Sequence, residues 1–556
     1  MRIAHQRCYR CGCMPEGNLS APAAATAADS RSEKLNTRAA GVVGLAVLCS
    51  RILGLAREQI FAALFGGGRI MDAFTIAFRI PNLLRDLFAE GALSTAFVTV
   101  FARTAALEDD AAGWRLANKV ATLAILTLSA ITVLGIIFAP WLVALLAPGF
   151  DPAKAALTVT LTRVMYPFIL LVSLAALVMG MLNARNVFGI PDMASSFFNL
   201  GSIVAGVLIG YWLDPHFGQR AIFGLAIGTL IGGGLQLLVQ LPALRRAGYA
   251  YHPDFQWRDA GVRSILRLMG PSVIAASTTQ VNVLVNSVFA SQLGDGPTFW
   301  LSAAFRVMQM PLGIFGVALG TVALPLLARM AATGNTMAFR SELARGMRLA
   351  FLMTIPASIG LMVLAEPIMS VLYQHGRFGA HETVESAGAL RFYAIGLCGY
   401  AALKVLVNAF YALDRRKTPM VVSFVAVAVN LLLNWTFTRQ LGWGHRGLAL
   451  STACVATSNF LILYFLMRSH LGRLESRAML TLLAKVALAS AALFAVCWAG
   501  AHYLLADWSV QPFWPRCLAL VLVIVVGAGA FFLCASALGI GEVNDIVAAV
   551  RRRLRR

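Results

Sequence analysis

The chain has little charge, and little acid in particular: 13% of its 556 residues are charged, and 25 Asp and Glu stand against 46 Lys and Arg. With 59% hydrophobic residues and a mean hydropathy of +0.75, a soluble protein of this length is excluded, leaving an all-α polytopic membrane protein. The nine cysteines fall mostly singly inside apolar segments, where Cys behaves as a small buried hydrophobe, so no disulfide framework is expected. Cys8, Cys11 and Cys13 lack a second ligand pair at zinc spacing, and no metal or cofactor is predicted. There is no P-loop, HExxH or GxSxG, and no soluble insertion of domain length. An ATPase or other catalytic domain is thereby excluded, and a transporter rather than an enzyme is expected.

Residues 1–38 are rich in Ala, Ser and Arg and lack an apolar run, so they read as a disordered tail, neither signal peptide nor span. Apolar stretches near bilayer length then follow at 41–65, 73–102, 117–146, 156–182, 193–212, 219–243, 265–291, 299–328, 348–373, 385–412, 418–437, 446–467, 479–504 and 515–538. These predict about fourteen spanning helices. Alternate connections differ in basic residues: Arg103, Lys119, Arg245, Arg246, Arg258, Arg329, Arg415, Arg416 and Lys417 are on one side, with only Arg69, Lys154, Arg220, Arg377, Arg439 and Arg446 on the other. The positive-inside rule makes the first set cytoplasmic, and with it both termini, including the basic run Arg551–Arg556. The net charge of +21 is then explained by topology and by anionic lipid, without nucleic acid.

Sliding the chain on itself by 227 residues lays Ala77, Phe78 and Arg79 on Ala304, Phe305 and Arg306, Pro140 on Pro367, Gly149 on Gly376, and Tyr166 on Tyr393. A constant offset across several helices predicts a parallel repeat of two six-helix bundles, 39–250 and 251–472, followed by two extra helices (473–541) and a basic tail (542–556). Two such bundles rocking about a shared site give alternating access.

The chemistry is concentrated between Cys49 and Phe97, where Arg51, Arg57, Glu58, Arg79, Arg85, Asp86 and Glu90 lie on apolar helices, with Asp72 opening the second of them. A charge near the bilayer centre costs about 3 kcal/mol even on the lenient insertion scale, so these side chains must face protein or water. Arg85 lies roughly 20 Å along its helix from Asp72, far from that end. The second repeat has Leu312, Gly313 and Val317 where the first has Arg85, Asp86 and Glu90, and keeps only Arg306 opposite Arg79. Arg51 and Arg57, like Arg79 and Arg85, are about 120° apart around a helix, which places them on adjacent walls of a wide cavity. Glu58 would lie near Arg51, and Asp86 and Glu90 near Arg79. Five arginines then meet three acids, and a surplus of guanidinium forks favours a phosphate or carboxylate ligand. The plainer reading is that individual arginines only pair with these acids or cap carbonyls. Gln280, Asn282, Asn286, Asn430 and Asn434 read as interhelical glue, and Lys404 as a further cavity residue.

The runs SRILGLARE, MDAF and RIPNLLRDLFAEGALSTAF, with PWLVALLAPGF, YPFILLVSLAAL, FGVALGTVALP and QHGRF in order behind them, resemble the MurJ (MviN) family of lipid II flippases within the multidrug/oligosaccharidyl-lipid/polysaccharide exporter superfamily. The resemblance runs from about residue 36 to the C-terminus, and implies that residues 1–34 are dispensable. It implies a cationic cavity built on Arg51, Arg57, Arg85 and Arg306, supported by Asp72 and Glu90, and an apolar groove on the last two helices for a polyprenyl tail. This chain has Asp86 where some relatives carry a second arginine, and Phe305 and Gln309 where some carry acids. It has no acid between Pro271 and Gln292, so the sodium site of some members is not expected.

Together these readings predict a monomeric inner-membrane flippase carrying lipid II from the cytoplasmic to the periplasmic leaflet, with membrane lipids and the wall-synthesis machinery as partners. An exporter of another polyprenyl-diphosphate-linked oligosaccharide would need the same cavity. A MATE-type ion-coupled antiporter of cationic drugs would need surplus carboxylates instead, and a scaffold would not need intramembrane arginines.

Overall fold

In the computed structural model, residues 24–86, 93–472 and 474–543 are described, and no strand occurs among them. Cys8, Cys11, Cys13, Glu90 and the Arg551–Arg556 run lie outside the described residues. The first bundle comprises α1 (Ala24–Phe65), α2 (Arg69–Arg85), α3 (Ser94–Leu107), α4 (Asp110–Ile137), α5 (Ala139–Leu146), α6 (Pro152–Met165), α7 (Phe168–Ala184), α8 (Gly189–Leu213), α9 (Ile222–Leu238) and α10 (Leu241–Arg246). The second comprises α11 (Ala260–Ser291), α12 (Pro297–Ala332), α13 (Thr336–Val363), α14 (Ala365–Tyr373), α15 (Ala380–Ile395), α16 (Leu397–Ala412), α17 (Lys417–Trp435) and α18 (Gly444–Leu471). The extra pair is α19 (Ser476–Ala499) and α20 (Phe513–Ala537). Helix α1 starts at Ala24, inside the segment read from sequence as tail.

Nine helical stretches among the described residues are long and apolar enough to cross a bilayer, and α15 with α16, bent by 44°, makes a tenth. The other expected spans coincide with α1, α2 followed by α3, α11 and α12, so the helix order is consistent with fourteen crossings. The repeat is visible in the breaks. The helix ending at Ile137 is interrupted at Phe138 and restarts as short α5, whose first turn holds Pro140. The one ending at Val363 is interrupted at Leu364 and restarts as short α14, whose first turn holds Pro367. Proline lacks the N–H that a continuing helix would use, but is tolerated in a first turn, so equivalent prolines start equivalent short helices.

Helices α8 and α9 approach closely because glycines face one another. A Cβ on Gly224 would lie 2.2 Å from the Gly210 nitrogen, and one on Gly228 2.5 Å from the Gly206 backbone. Between apolar helices in lipid, such backbone contact replaces the hydrophobic drive available in water. Gly228→Leu is therefore expected to force these helices apart, lowering the thermal midpoint of the purified protein by several degrees or preventing its recovery from membranes; an unchanged midpoint would refute the contact.

At the end of the bundles carrying Gly66, Gly149 and Gly376, the two bundles are closed against each other. Arg377 N–H donates to the Ala63 carbonyl at 2.8 Å, and Gly149 N–H to Ser291 Oγ at 3.2 Å. A Cβ at Gly149 would meet Gln292 Cα at 2.5 Å, and one at Gly376 the Ala63 oxygen at 2.3 Å. Ala63 closes α1, and Gln292 follows α11, its repeat counterpart, so each bundle seats a loop glycine on the equivalent helix end of the other. Helix α11 links the bundles differently at its start, where Val262 and Ile265 are buried in an apolar cluster with Leu116, Val120 and Leu182 of the first bundle. Helix α19 packs on α13, and Arg348 of α13 ties the pair down through Glu475 and Glu542, at 2.5 and 2.8 Å.

Candidate functional site

Between the bundles, α1, α2 and α12 enclose a cavity of about 160 Å³ lined by Arg57, Glu58, Arg79 and Arg306, with Phe61, Phe74, Phe78 and Phe299 around them. Three guanidinium groups therefore face one carboxylate among its lining residues. Arg57 is buried, at 8% exposure, and its guanidinium lies over the rings of Phe198 (5.0 Å) and Phe78 (5.6 Å). The quadrupoles of these rings stabilise a cation without neutralising it. Arg306, Glu58 and Arg85 are all near enough to act on Arg57 electrostatically.

Arg306 forms an ion pair with Glu58, whose other oxygen accepts from Tyr373 Oη at 3.3 Å. The side chain of Arg306 is 39% exposed and that of Glu58 14%, so the acid is held behind the arginine. Glu58 thus pairs with the arginine of the opposite bundle, not with Arg51 as its helix position predicts. Arg79 donates to Ser287 Oγ of α11 at 2.6 Å, again across the bundles. It also borders a second, larger cavity of about 300 Å³ inside the second bundle. There Asn430 bridges Asn282 and Asn286 at 3.1 Å each, and Asn434 bonds Asn286 at 2.8 Å, tying α17 to α11 as the glue reading expects.

Arg85 bonds its neighbour Asp86 at 2.9 Å, and Gln280 donates to the other Asp86 oxygen at 3.3 Å. Asp86 therefore faces Arg85 and α11, not Arg79. Arg51 is exposed, lies within electrostatic range of Lys404, and packs its guanidinium on Gly313, where a Cβ would fall 1.5 Å from Nη1. Gly313 is the repeat counterpart of Asp86, so the second bundle has lost an acid where the first bundle's arginine needs space.

Asp72 stands apart from the arginines. It is fully buried at the closed end, where one oxygen accepts from Lys154 Nζ (2.8 Å) and Gly296 N–H (2.6 Å) and the other from Phe299 N–H (2.8 Å). Lys154, 2% exposed, also contacts Asp295 at 2.8 Å, and Arg69 bonds Asp151 at 2.5 Å. The arginine bond and the α6 amides of Ala153 and Lys154 hold the Asp151 carboxyl below the usual carboxylate range. Asp72 thus caps α12 of the opposite bundle and closes the cavity from that side. Sequence reasoning missed Lys154 and Asp295; the one signal for Lys154 was its rarity, a basic residue on the side with few. Among the described residues no group of three or more His, Cys, Asp or Glu could hold a metal ion.

The family model described as lipid II flippase MurJ matches residues 61–519. The chain is 36% identical over 429 residues to the lipid II flippase MurJ of Burkholderia cenocepacia, covering 76% of this chain and 82% of that protein. It is 32% identical over 498 residues to the probable lipid II flippase MurJ of Haemophilus influenzae, covering 86% and 96%. Among solved structures it resembles a lipid II flippase MurJ in an inward closed conformation, with TM-score 0.72, 25% identity, and 88% and 98% of the two chains covered. A multidrug resistance MATE transporter in an inward-facing conformation shares the fold, with TM-score 0.64 at 15% identity over 77% and 96%. Helix order, a repeat of two bundles, an arginine-lined gap between them and these likenesses agree: the chain belongs to the MurJ family of lipid II flippases.

Proposed function

We propose that this protein moves lipid II from the cytoplasmic to the periplasmic leaflet of the bacterial inner membrane by alternating access. The observation that carries the reading is the cavity in which Arg57, Arg79 and Arg306 face Glu58 alone. A guanidinium about 4 Å from a phosphate is worth about 4 kcal/mol at an effective dielectric of 20, so two surplus cations favour a diphosphate and disfavour a cationic drug. Arg51, with Lys404 in electrostatic range, extends the positive surface, while Arg85 is paired with Asp86. Both termini are cytoplasmic in this reading, the end closed by Asp72 and Lys154 is periplasmic, and one chain suffices. The exposed apolar residues of α19 and α20, Leu488, Phe494, Leu518 and Val525 among them, offer the polyprenyl chain a path within the bilayer. Contacts with the wall-synthesis machinery would use the surfaces outside the bilayer.

No covalent step is needed. Moving negative charge out of a negative cytoplasm is downhill by about 2.3 kcal/mol per charge per 100 mV. Purified protein in sealed vesicles should bring labelled lipid II to the outer face, and faster with an interior-negative potential. No movement of the lipid would refute the function; movement indifferent to the potential would refute the coupling alone.

A further inference from the structure

A third cavity, of about 300 Å³, lies away from the gap between the bundles, where the tip of α19 meets the second bundle. Its walls include Glu366 and Pro367 beside the α13–α14 break, Arg391 of α15, and His502 and Trp508 from the π-turn and loop that follow α19. Arg391 Nη2 donates to Glu366 Oε1 at 2.8 Å. Their side chains remain 47% and 27% exposed, so one charge of each sign is offered to an occupant.

The surroundings set the depth. Trp498, Tyr503 and Trp514 are 53%, 75% and 72% exposed, and amphipathic aromatics gathered at a helix end mark the headgroup level of a bilayer. The His502 ring stacks on Trp498 with centroids 5.5 Å apart and planes 5° apart. The loop wall is fixed in place: Arg516 of α20, 4% exposed, donates to the Trp508 carbonyl at 2.9 Å, to Ser370 Oγ at 2.7 Å and to Gln374 Oε1 at 3.0 Å. Arg516 is a positioning residue that joins α20, the loop and α14.

The repeat shows what is particular to this place. At the offset of 227 residues Glu366 and Arg391 fall on Ala139 and Val164, so neither charge has a counterpart in the first bundle. In the second bundle Arg391 meets Glu366 beneath His502 and Trp508, which belong to the extra helices and follow α19.

We infer that this cavity holds the headgroup of an aminophospholipid, with its phosphate on Arg391 and His502 and its primary ammonium on Glu366. An anionic headgroup would have to face Glu366, and a cationic one Arg391; a zwitterion satisfies both. A primary ammonium brings three N–H donors to the carboxylate, whereas a quaternary one brings none. The acyl chains would lie on the exposed apolar faces of α19 and α20, so the extra helices are seated by lipid at this end as well as by Arg348 at the other.

The test is a titration of the full-length purified protein with short-chain phosphatidylethanolamine, read as the thermal unfolding midpoint, beside phosphatidylglycerol and phosphatidylcholine of equal chain length. Phosphatidylethanolamine should raise the midpoint most, and Glu366→Gln and Arg391→Gln should each weaken its apparent affinity by at least about tenfold. If either variant does not fold, His502→Ala, at a residue whose contacts are ring contacts, must show the same loss. An equal response to all three lipids, a preference for phosphatidylglycerol, or an undiminished response in the folded variants would overturn the assignment. Lipid II movement is not part of this readout, so its failure and that of the proposed function are distinguishable.

Discussion

Arg306→Ala should insert into the membrane at the normal level and fail to rescue wall synthesis in depleted cells, with lipid II movement in vesicles reduced by on the order of a hundredfold. Arg306 is the one cavity arginine supplied by the second bundle, so it alone among them changes position relative to Arg57 and Arg79 when the bundles rock. Its removal deletes a charged donor to the substrate and also leaves Glu58, only 14% exposed, with Tyr373 as its remaining partner. The cavity would fall from three cations against one acid to two against one, and the freed carboxylate would repel a diphosphate. Arg306→Lys restores the charge but not the planar fork that can hold Glu58 and a phosphate oxygen together, so partial rescue at best is expected. Full rescue by Arg306→Ala would show that the cavity charge is not what carries the lipid.

Asp72→Ala should open the closed end. The substitution leaves Lys154, 2% exposed, to Asp295 alone among the described carboxylates, and the Gly296 and Phe299 N–H groups without their acceptor. A buried donor left without its acceptor costs about 1–3 kcal/mol. Because Gly296 and Phe299 belong to the opposite bundle, the loss of these two hydrogen bonds falls on the closed arrangement alone, whereas Asp72 and Lys154 share a bundle. A difference of about 3 kcal/mol shifts a two-state equilibrium by on the order of a hundredfold. Thr75→Cys, in a cysteine-free background, places a reporter in the cavity lining. In the Asp72→Ala background it should react with an impermeant maleimide applied from the Asp72 side, where the parent is protected. Asp72→Asn keeps one acceptor oxygen for one of the two N–H groups, sets an amide NH2 against the other and loses the charge facing Lys154, so intermediate labelling is expected. Equal labelling of parent and Asp72→Ala would mean that the glycine contacts at Gly149 and Gly376 hold this end closed without the carboxylate.

Much of the architecture could be read along the chain because each cue was local. Apolar length predicts spans, and the offset of 227 residues predicts two bundles whose helix breaks at Phe138 and Leu364 recur at nearly the same spacing. Of the five arginines expected in one cavity, Arg57, Arg79 and Arg306 line it with Glu58, and Arg51 and Arg85 are not among its lining residues. Their pairing was not legible. Glu58 meets Arg306, Asp86 meets Arg85 and Gln280, and Arg51 rests on Gly313 with Lys404 nearby. Asp72, expected as a supporting acid, sits at the bundle closure with Lys154.

By itself, then, the sequence determined that charged side chains on membrane helices must turn inward, and that cations would outnumber acids there. Both follow from the cost of exposing charge to lipid, which depends on residue type and helix position alone. Only the tertiary structure decided which acid each arginine meets and which charges guard an end instead of the cavity. Those outcomes depend on the rotation of each helix about its axis and on how one bundle sits against the other, and a 3.6-residue period carries no information about the relative placement of segments more than two hundred residues apart.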